Sequence, residues 1–283
     1  MSRVRTIELP WAQQPQEAVG IDWANPITRG LCFVAVYSDG SLTNLAAGDR
    51  GAYGASAVSG VGAAGRTLYA TAQPYAASWP GALVTSDGAG TGDYTLLSFS
   101  APAAEGDISS LISQASGSTQ LYLLSNTNTS YGASAGTLTL GEYDGNNPMF
   151  EAPGVVDGGW HVFVGVRSGT TRYIDCDGVQ VGTGTGVAAR VYASGAYVYS
   201  SGIYGYTNWT RPHPHVMQAA WNRALTPAER GDIGRNPWQV FAPRRILVPT
   251  SGAGGGADPD ITFVGAENIT ATSANYRVTL NYA

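Results

Sequence analysis

An all-β sandwich carrying one short helix is the fold class this sequence predicts, and three observations predict it. Residues 160–167 alternate, with Trp160, Val162, Val164 and Val166 on one face and His161, Phe163, Gly165 and Arg167 on the other. That is the period-two signature of a half-buried antiparallel strand. A second strand-like run returns after Ser168-Gly169 and closes on Asp177-Gly178, which completes a hairpin. Finally, 38 glycines, 12% charged residues and 43% hydrophobic residues describe a turn-rich, weakly charged β protein with ample material for a core. The 283 residues exceed a typical domain of roughly 100–150, but all-β sandwiches run to about 200–250 as one unit, so one large domain with extra terminal segments is the natural division.

Taken in order, residues 1–30 hold Pro10, Pro15, Pro26, Trp11 and Trp23 with little alternation and read as an extended N-terminal arm laid over a surface. Residues 31–37 form the first fully apolar strand. Between 38 and 92 small residues and glycine dominate, so short strands at 66–70 and 82–85 and long surface loops are expected. Tyr197 and Tyr199, and again Tyr204 and Tyr206, stand two apart, which projects each pair onto one strand face. Thr226, Pro227 and Glu229 supply a capping residue, a proline at the first helical position and a reciprocal acid, with Gly234 to stop a helix of about two turns. The main sandwich ends near 249. Residues 250–260 are a glycine-rich linker, and residues 261–283 hold two strand-like runs too small to bury a core alone. Ile261, Phe263, Val264, Tyr276, Val278, Leu280 and Tyr282 are the apolar positions of this C-terminal β tail, which must dock on its own sandwich, a sister subunit or a larger assembly.

Charge excludes some functions. The net charge is −5, all fifteen basic residues are arginine and no basic run appears, so the phosphate-neutralising stripe of nucleic-acid binding is missing. No apolar stretch approaches the ~20 residues that span a bilayer. The first ten residues lack the apolar segment of about 7–15 residues found in an export signal. Cys32 and Cys176 sit among strand residues rather than at metal-ligand spacing. Buried thiols are the simplest reading, with a disulfide left open.

Catalytic chemistry is thinly supplied. Glycosidases on such sandwiches need two acids about 5–10 Å apart, and no strand reads Glu-x-Asp-x-Glu. Glu105 and Asp107 flank Gly106 in a loop-like context beside Pro102. Asp177 is read as the first residue of the Asp-Gly turn, and His161 as a packing or edge hydrogen-bonding residue. A chain without lysine holds no phosphate-binding Gly-x-x-x-x-Gly-Lys loop. His213 and His215 are the nearest approach to a metal pair but lack a third ligand, and their flanking prolines point to an edge segment facing solvent or an interface. What binding signal exists is aromatic: Tyr197, Tyr199, Tyr204, Tyr206 and Trp209, with Asn208 and Arg211 among them, would stack on sugar faces and pair hydroxyls. A cross-strand aromatic ladder that stabilises a sheet is the alternative.

The hairpin resembles the concanavalin-A-like, laminin-G-like jelly-roll family, whose members show a Gly-Trp-His strand (residues 159–161), a Ser-Gly turn (168–169), a return strand with tyrosine (Tyr173) and an Asp-Gly corner (177–178). DYTLLSFS (93–100), SSLISQASG (109–117), GTLTL (136–140) and WNRALTPAE (221–229) resemble further strands of that fold and its short helix, so the likeness runs over roughly residues 20 to 248. GIDWANPITRG (20–30) and NPWQVFAP (236–243) are similar to a subgroup met mostly in phage and prophage proteins. The resemblance implies a jelly-roll β-sandwich in a non-enzymatic virion structural protein, a decoration, fibre or tail component. Such a protein would assemble in the host cytoplasm and contact other virion proteins and sister subunits through its termini. A lectin-like module for a host surface glycan is the alternative, and a polysaccharide hydrolase the third reading. No cofactor is implied other than calcium, which relatives of the fold hold through loop oxygens. Asp39, Asp49, Asp87, Asp93 and Asp144 are the oxygen donors available here.

Overall fold

The computed structural model describes residues 20–37, 42–62, 64–71, 75–80, 92–102, 109–116, 119–126, 136–143, 149–152, 154–185, 197–200 and 213–242. Its strands are β1 Leu31–Val36, β2 Ala52–Tyr53, β3 Ala57–Gly62, β4 Gly65–Ala70, β5 Ala77–Pro80, β6 Tyr94–Ser100, β7 Ser109–Ser116 and β8 Thr119–Asn126. They continue with β9 Thr137–Tyr143, β10 Met149–Ala152, β11 His161–Ser168, β12 Thr171–Cys176, β13 Val179–Thr185, β14 Tyr197–Ser200 and β15 His215–Trp221, followed by helix α1, Pro227–Arg235. One sheet runs β13-β12-β11-β6-β15-β4-β3 with β1 also paired to β15, and the other runs β10-β9-β8-β7-β14-β5-β2. Every strand pairing described is antiparallel, and the all-β sandwich with one short helix is what the sequence leads one to expect.

The alternating strand differs from expectation in one respect. β11 is buried along both faces, not half-buried. Phe163 enters the core between the sheets with Leu96, Ile174, Ile112, Leu123, Leu140 and Trp79, while Val162, Val164 and Val166 join a second core with Leu97, Phe99, Met217 and Trp221. The second core is closed by Ile27, Leu225, Ile233, Trp238, Val240 and Phe241. The larger sheet is therefore a central layer, lying between the smaller sheet and a cover made of α1, a 3-10 turn at Pro237–Val240 and the segment entering β1. Apolar burial drives both contacts, at roughly 25 cal/mol per Å² of apolar surface.

From Gly20 onward, the arm is stitched to its own domain. Asp22 N donates to Val240 O (2.9 Å), Ala242 N to Gly20 O (2.9 Å) and Asn25 Nδ2 to Gln239 O (2.8 Å). Pro26–Thr28 forms a 3-10 turn capped by Asn25, and the Trp221 indole donates to Ile27 O (2.8 Å). The buried surface of Ile27 and Thr28 thus comes from the same chain.

Helix α1 begins with the expected capping box, Thr226 and Glu229 each accepting the other's backbone N–H. Arg223 grips both Glu229 oxygens (2.6 and 2.8 Å) and thereby holds that carboxyl down to about 2. Gly234 does not stop the helix, which continues to Arg235. Its role is close approach: a Cβ there would overlap the N and Cα of Gly178, and a Cβ on Gly178 would overlap Gly231 O. Arg230 adds a buried tie, its Nε 2.6 Å from Asp175 Oδ2, its Nη2 donating to Gln180 Oε1 (2.8 Å) and its guanidinium 4.4 Å above the Tyr173 ring. Burial raises the Asp175 pKa more than Arg230 lowers it.

His213 and His215 are a second correction. They were expected on an exposed edge, yet both are buried, and His215 opens β15, which lies between β6, β4 and β1. Pro214 precedes the strand, so the missing amide falls outside the ladder. His215 Nδ1 lies 3.2 Å from Ser98 Oγ, which donates in turn to Ser100 Oγ (3.1 Å). Nearby, Tyr37 Oη donates to Gln218 Oε1 (2.6 Å) and lies 3.2 Å from the Ser200 hydroxyl, linking the two sheets through buried polar groups. Burial drives the Tyr37 pKa up, so the phenol stays a donor.

Two outcomes follow. Gly231→Ala, whose Cβ meets only ordinary van der Waals contacts with Arg235 and Gly178 O, leaves stability unchanged or slightly raised, whereas Gly234→Ala lowers it by about 1–3 kcal/mol despite alanine's better helix propensity. Denaturant melts that rank the two variants the other way contradict the close-approach account. For His215, burial first and the charge of His213 second lower the pKa to about 3 from 6.5, so the folded state holds the neutral ring. The unfolded chain gains the proton earlier as pH falls, and stability is lost between about pH 6.5 and 3. Denaturation midpoints across that window should fall more steeply for the wild type than for His215→Gln.

Candidate functional site

Two places on the sandwich gather chemistry. The first is β14, a strand flanked by β5 and β7. Val198 points into the inter-sheet core, so alternation places Tyr197 and Tyr199 on the opposite, outer face. Tyr197 sits opposite Pro80 and is 47% exposed, and Pro80 is exposed as well. Together they present a flat apolar step on a strand whose other positions are buried. Tyr199 departs from expectation: it is 4% exposed, with its ring 4.9 Å from Tyr75 and 6.2 Å from Tyr197. It is a stacking residue of the sheet that flanks Tyr197 along the strand instead of meeting a ligand. Tyr204, Tyr206, Asn208, Trp209 and Arg211 lie outside the described residues, as do the tail positions Ile261, Phe263, Val264, Tyr276, Val278, Leu280 and Tyr282.

The second place is the corner where β11 begins and β12 turns into β13. Asp177 and Gly178 both carry positive φ, 51° and 77°, the mirror-image geometry of a two-residue hairpin turn. The Asp177 side chain does more than turn the chain. Its Oδ1 accepts the Val162 amide (2.9 Å) and its Oδ2 meets His161 Nδ1 at 2.7 Å. On the other side of the ring, His161 Nε2 stands 3.0 Å from Asp157 Oδ1, which also accepts from Gly159 N (2.7 Å). Asp177 first, then Cys176 and Asp157, hold the imidazolium up to about 11 against partial burial. The Gly159 amide and His161 together lower the Asp157 pKa. Among the described residues, His161, Cys176 and Asp177 are the group of three donor side chains compact enough for a metal ion, their ligand atoms lying within 4.8 Å of one another.

Sequence reading treated these residues separately, as an edge histidine, a buried thiol and a turn. The signal that joins them is the hairpin register. Ser168 pairs with Thr171 and Phe163 with Cys176, which carries Asp177 opposite Val162 and so beside His161. Neither cysteine forms a disulfide. Cys32 donates to Ala220 O (3.3 Å), and burial pushes its thiol up to about 12.

Of the aspartates considered for calcium, Asp49 and Asp93 lie in separate loops. Asp49 O accepts from Asn44 N (2.8 Å), and Asp93 Oδ1 accepts from Gly169 N (2.7 Å). Asp39, Asp87 and Asp144 lie outside the described residues, as do Glu105 and Asp107.

The His161 contribution to stability has a definite sign. Because its folded pKa lies above the unfolded value of 6.5, the stabilisation is complete below about pH 6.5 and is lost as pH rises through about 11. Asp177→Asn keeps an acceptor for Val162 and tolerates positive φ, but removes the charge. Denaturant midpoints measured from pH 6.5 to 11 should decline less in this variant than in the wild type, and equal slopes contradict the pairing.

No protein-family model matches the chain, and no curated protein matches it. Solved structures do. The binding domain of Paraclostridial Mosquitocidal Protein 1 superposes with a TM-score of 0.53 at 10% identity over 73% of this chain and 52% of that one. Domain 4 of AbnA, an extracellular family GH43 arabinanase from Geobacillus stearothermophilus solved with arabinotriose, gives 0.54 at 12% identity over 72% and 98%. The binding domain of botulinum neurotoxin DC in complex with SialylT gives 0.52 at 6% identity over 74% and 52%. The chain spans about half the length of the toxin binding domains and nearly all of the arabinanase domain. At these identities the likeness establishes the fold: a β-sandwich of the kind used by binding domains.

Proposed function

We propose that this chain is a non-catalytic carbohydrate-binding module whose recognition face is the outer surface of the smaller sheet around Tyr197. The observation that carries the reading is the exposed Tyr197–Pro80 pair on strands otherwise buried. A flat aromatic ring flanked by a second, buried tyrosine is a rigid platform for the C–H face of a sugar. Two fold neighbours, one solved with arabinotriose and the other in complex with SialylT, support the use of this sandwich for glycans.

Likeness to binding domains favours glycan recognition over a purely structural virion role. The resemblance of residues 20–30 and 236–243 still favours a phage particle as the setting, and a glycan-binding module on a virion would serve host attachment. The two roles differ in where they reside: sugar recognition on β14, assembly in residues 261–283.

A glycan array probed with the full chain should return a coherent set of oligosaccharides. Against the best of them, Tyr197→Ala should weaken binding at least tenfold by calorimetry, with an unchanged melting temperature. An array without binders, or undiminished binding by the variant, overturns the proposal.

A further inference from the structure

The corner at His161 belongs to the larger sheet, not to the smaller sheet that holds β14, and plays no part in the carbohydrate reading. We propose that His161, Cys176 and Asp177 form a binding site for a divalent transition metal of the zinc class, with water completing the coordination. An imidazole, a thiol and a carboxylate are the donor types that zinc takes, and two of the three are poor ligands for calcium or magnesium. Around a tetrahedral ion of this kind the ligand atoms stand about 3.3–3.8 Å apart, given metal–ligand bonds of about 2.0–2.3 Å. The three donor atoms already fall within 4.8 Å of one another, so the ion needs only small side-chain adjustments.

The scaffold is what separates this group from a chance cluster. Cys176 is fixed by its pairing with Phe163 at the end of β12. Asp177 is fixed in the next position by its turn, with its Oδ1 already engaged by Val162 N and its neighbour Gly178 clamped under α1. That leaves Oδ2 as the oxygen facing the ring, 2.7 Å from Nδ1. Nδ1 is then the ligating nitrogen, because Asp157 occupies Nε2 from the opposite side, 3.0 Å away, and the ion displaces the Nδ1 proton and the Cys176 thiol proton to solvent as it binds. A carboxylate on the far nitrogen of a metal-bound histidine orients the ring and increases its basicity, and Asp157 stands in that position. The His161 side chain is 21% exposed, so the ion has a route in from solvent and water a place to bind. The cluster has a simpler function as an ion pair that pins the hairpin turn, but that function needs no thiol. Cys176, which also packs against the inter-sheet core and interacts with the His161 ring, adds the soft donor that favours zinc over a hard cation.

The test uses the full chain freed of metal by chelation. Titration with Co2+ should show one ion per chain with a thiolate-to-cobalt charge-transfer band, and Zn2+ should displace it. Cys176→Ser should abolish the band, and His161→Gln should weaken binding at least tenfold. Because a variant at this corner could misfold, peptide-resolved alkylation of the unaltered protein supplies a second measurement. Zn2+ should slow modification of Cys176 at least tenfold and leave Cys32 unaffected. Absence of the charge-transfer band, its survival in Cys176→Ser, or alkylation of Cys176 at the same rate with and without Zn2+ overturns the site.

Discussion

The structure depends on a sheet that is apolar on both faces. β6, β11 and β15 bury every residue or nearly every residue, so two covers are required, and a simple two-layer sandwich supplies only one. The second cover is assembled from parts distant in sequence: the Pro26–Thr28 turn, α1 and the turn at Pro237–Val240. None of these is large, and their attachment relies on specific ties. The Gly234–Gly178 approach lets the helix backbone reach the hairpin turn, the buried Arg230–Asp175 pair anchors its middle, and the residue 20–22 and 240–242 hydrogen bonds close the chain ends over the core. Removing one partner of such a buried pair strands the other charge at a cost of about 3–5 kcal/mol, so the helix is bound in a unique position.

Features set by neighbouring residues were legible in the sequence. The hairpin at 161–176, the Asp177-Gly178 turn and the Thr226–Glu229 capping box are local, and each appears where its pattern places it. Features set by packing were not. The alternation of β11 does not distinguish a solvated face from one covered by a helix more than sixty residues later. In β6 the pattern is inverted: Leu97 and Phe99 face the helix layer, while Ser98 and Ser100 join a polar network with His215. The prolines flanking His213 disfavour a central strand, but Pro214 stands one residue before β15 begins and so leaves its ladder intact. Gly234 carried an ambiguous signal, since glycine serves helix ends and close helix contacts alike.

Candidate sites show the same division. Tyr197 and Tyr199 were correctly placed on one face, but exposure, which decides whether an aromatic recognises a ligand or supports a sheet, separates them. The His161 cluster was overlooked because its members come from two strands and a turn, and only strand register unites them. The fold is shared with binding domains of very different proteins, so specificity must lie in surface side chains grafted on a common scaffold. The two candidates proposed here are a tyrosine step on the smaller sheet and a histidine–thiol–carboxylate corner on the larger one.

The central claim is that the outer face of the smaller sheet recognises sugar. A crystal structure of the full chain with its preferred oligosaccharide tests it most directly. The account predicts a sugar ring stacked on Tyr197 and bordering Pro80. A sugar bound elsewhere on the sandwich, with the Tyr197 face open to solvent, would contradict it.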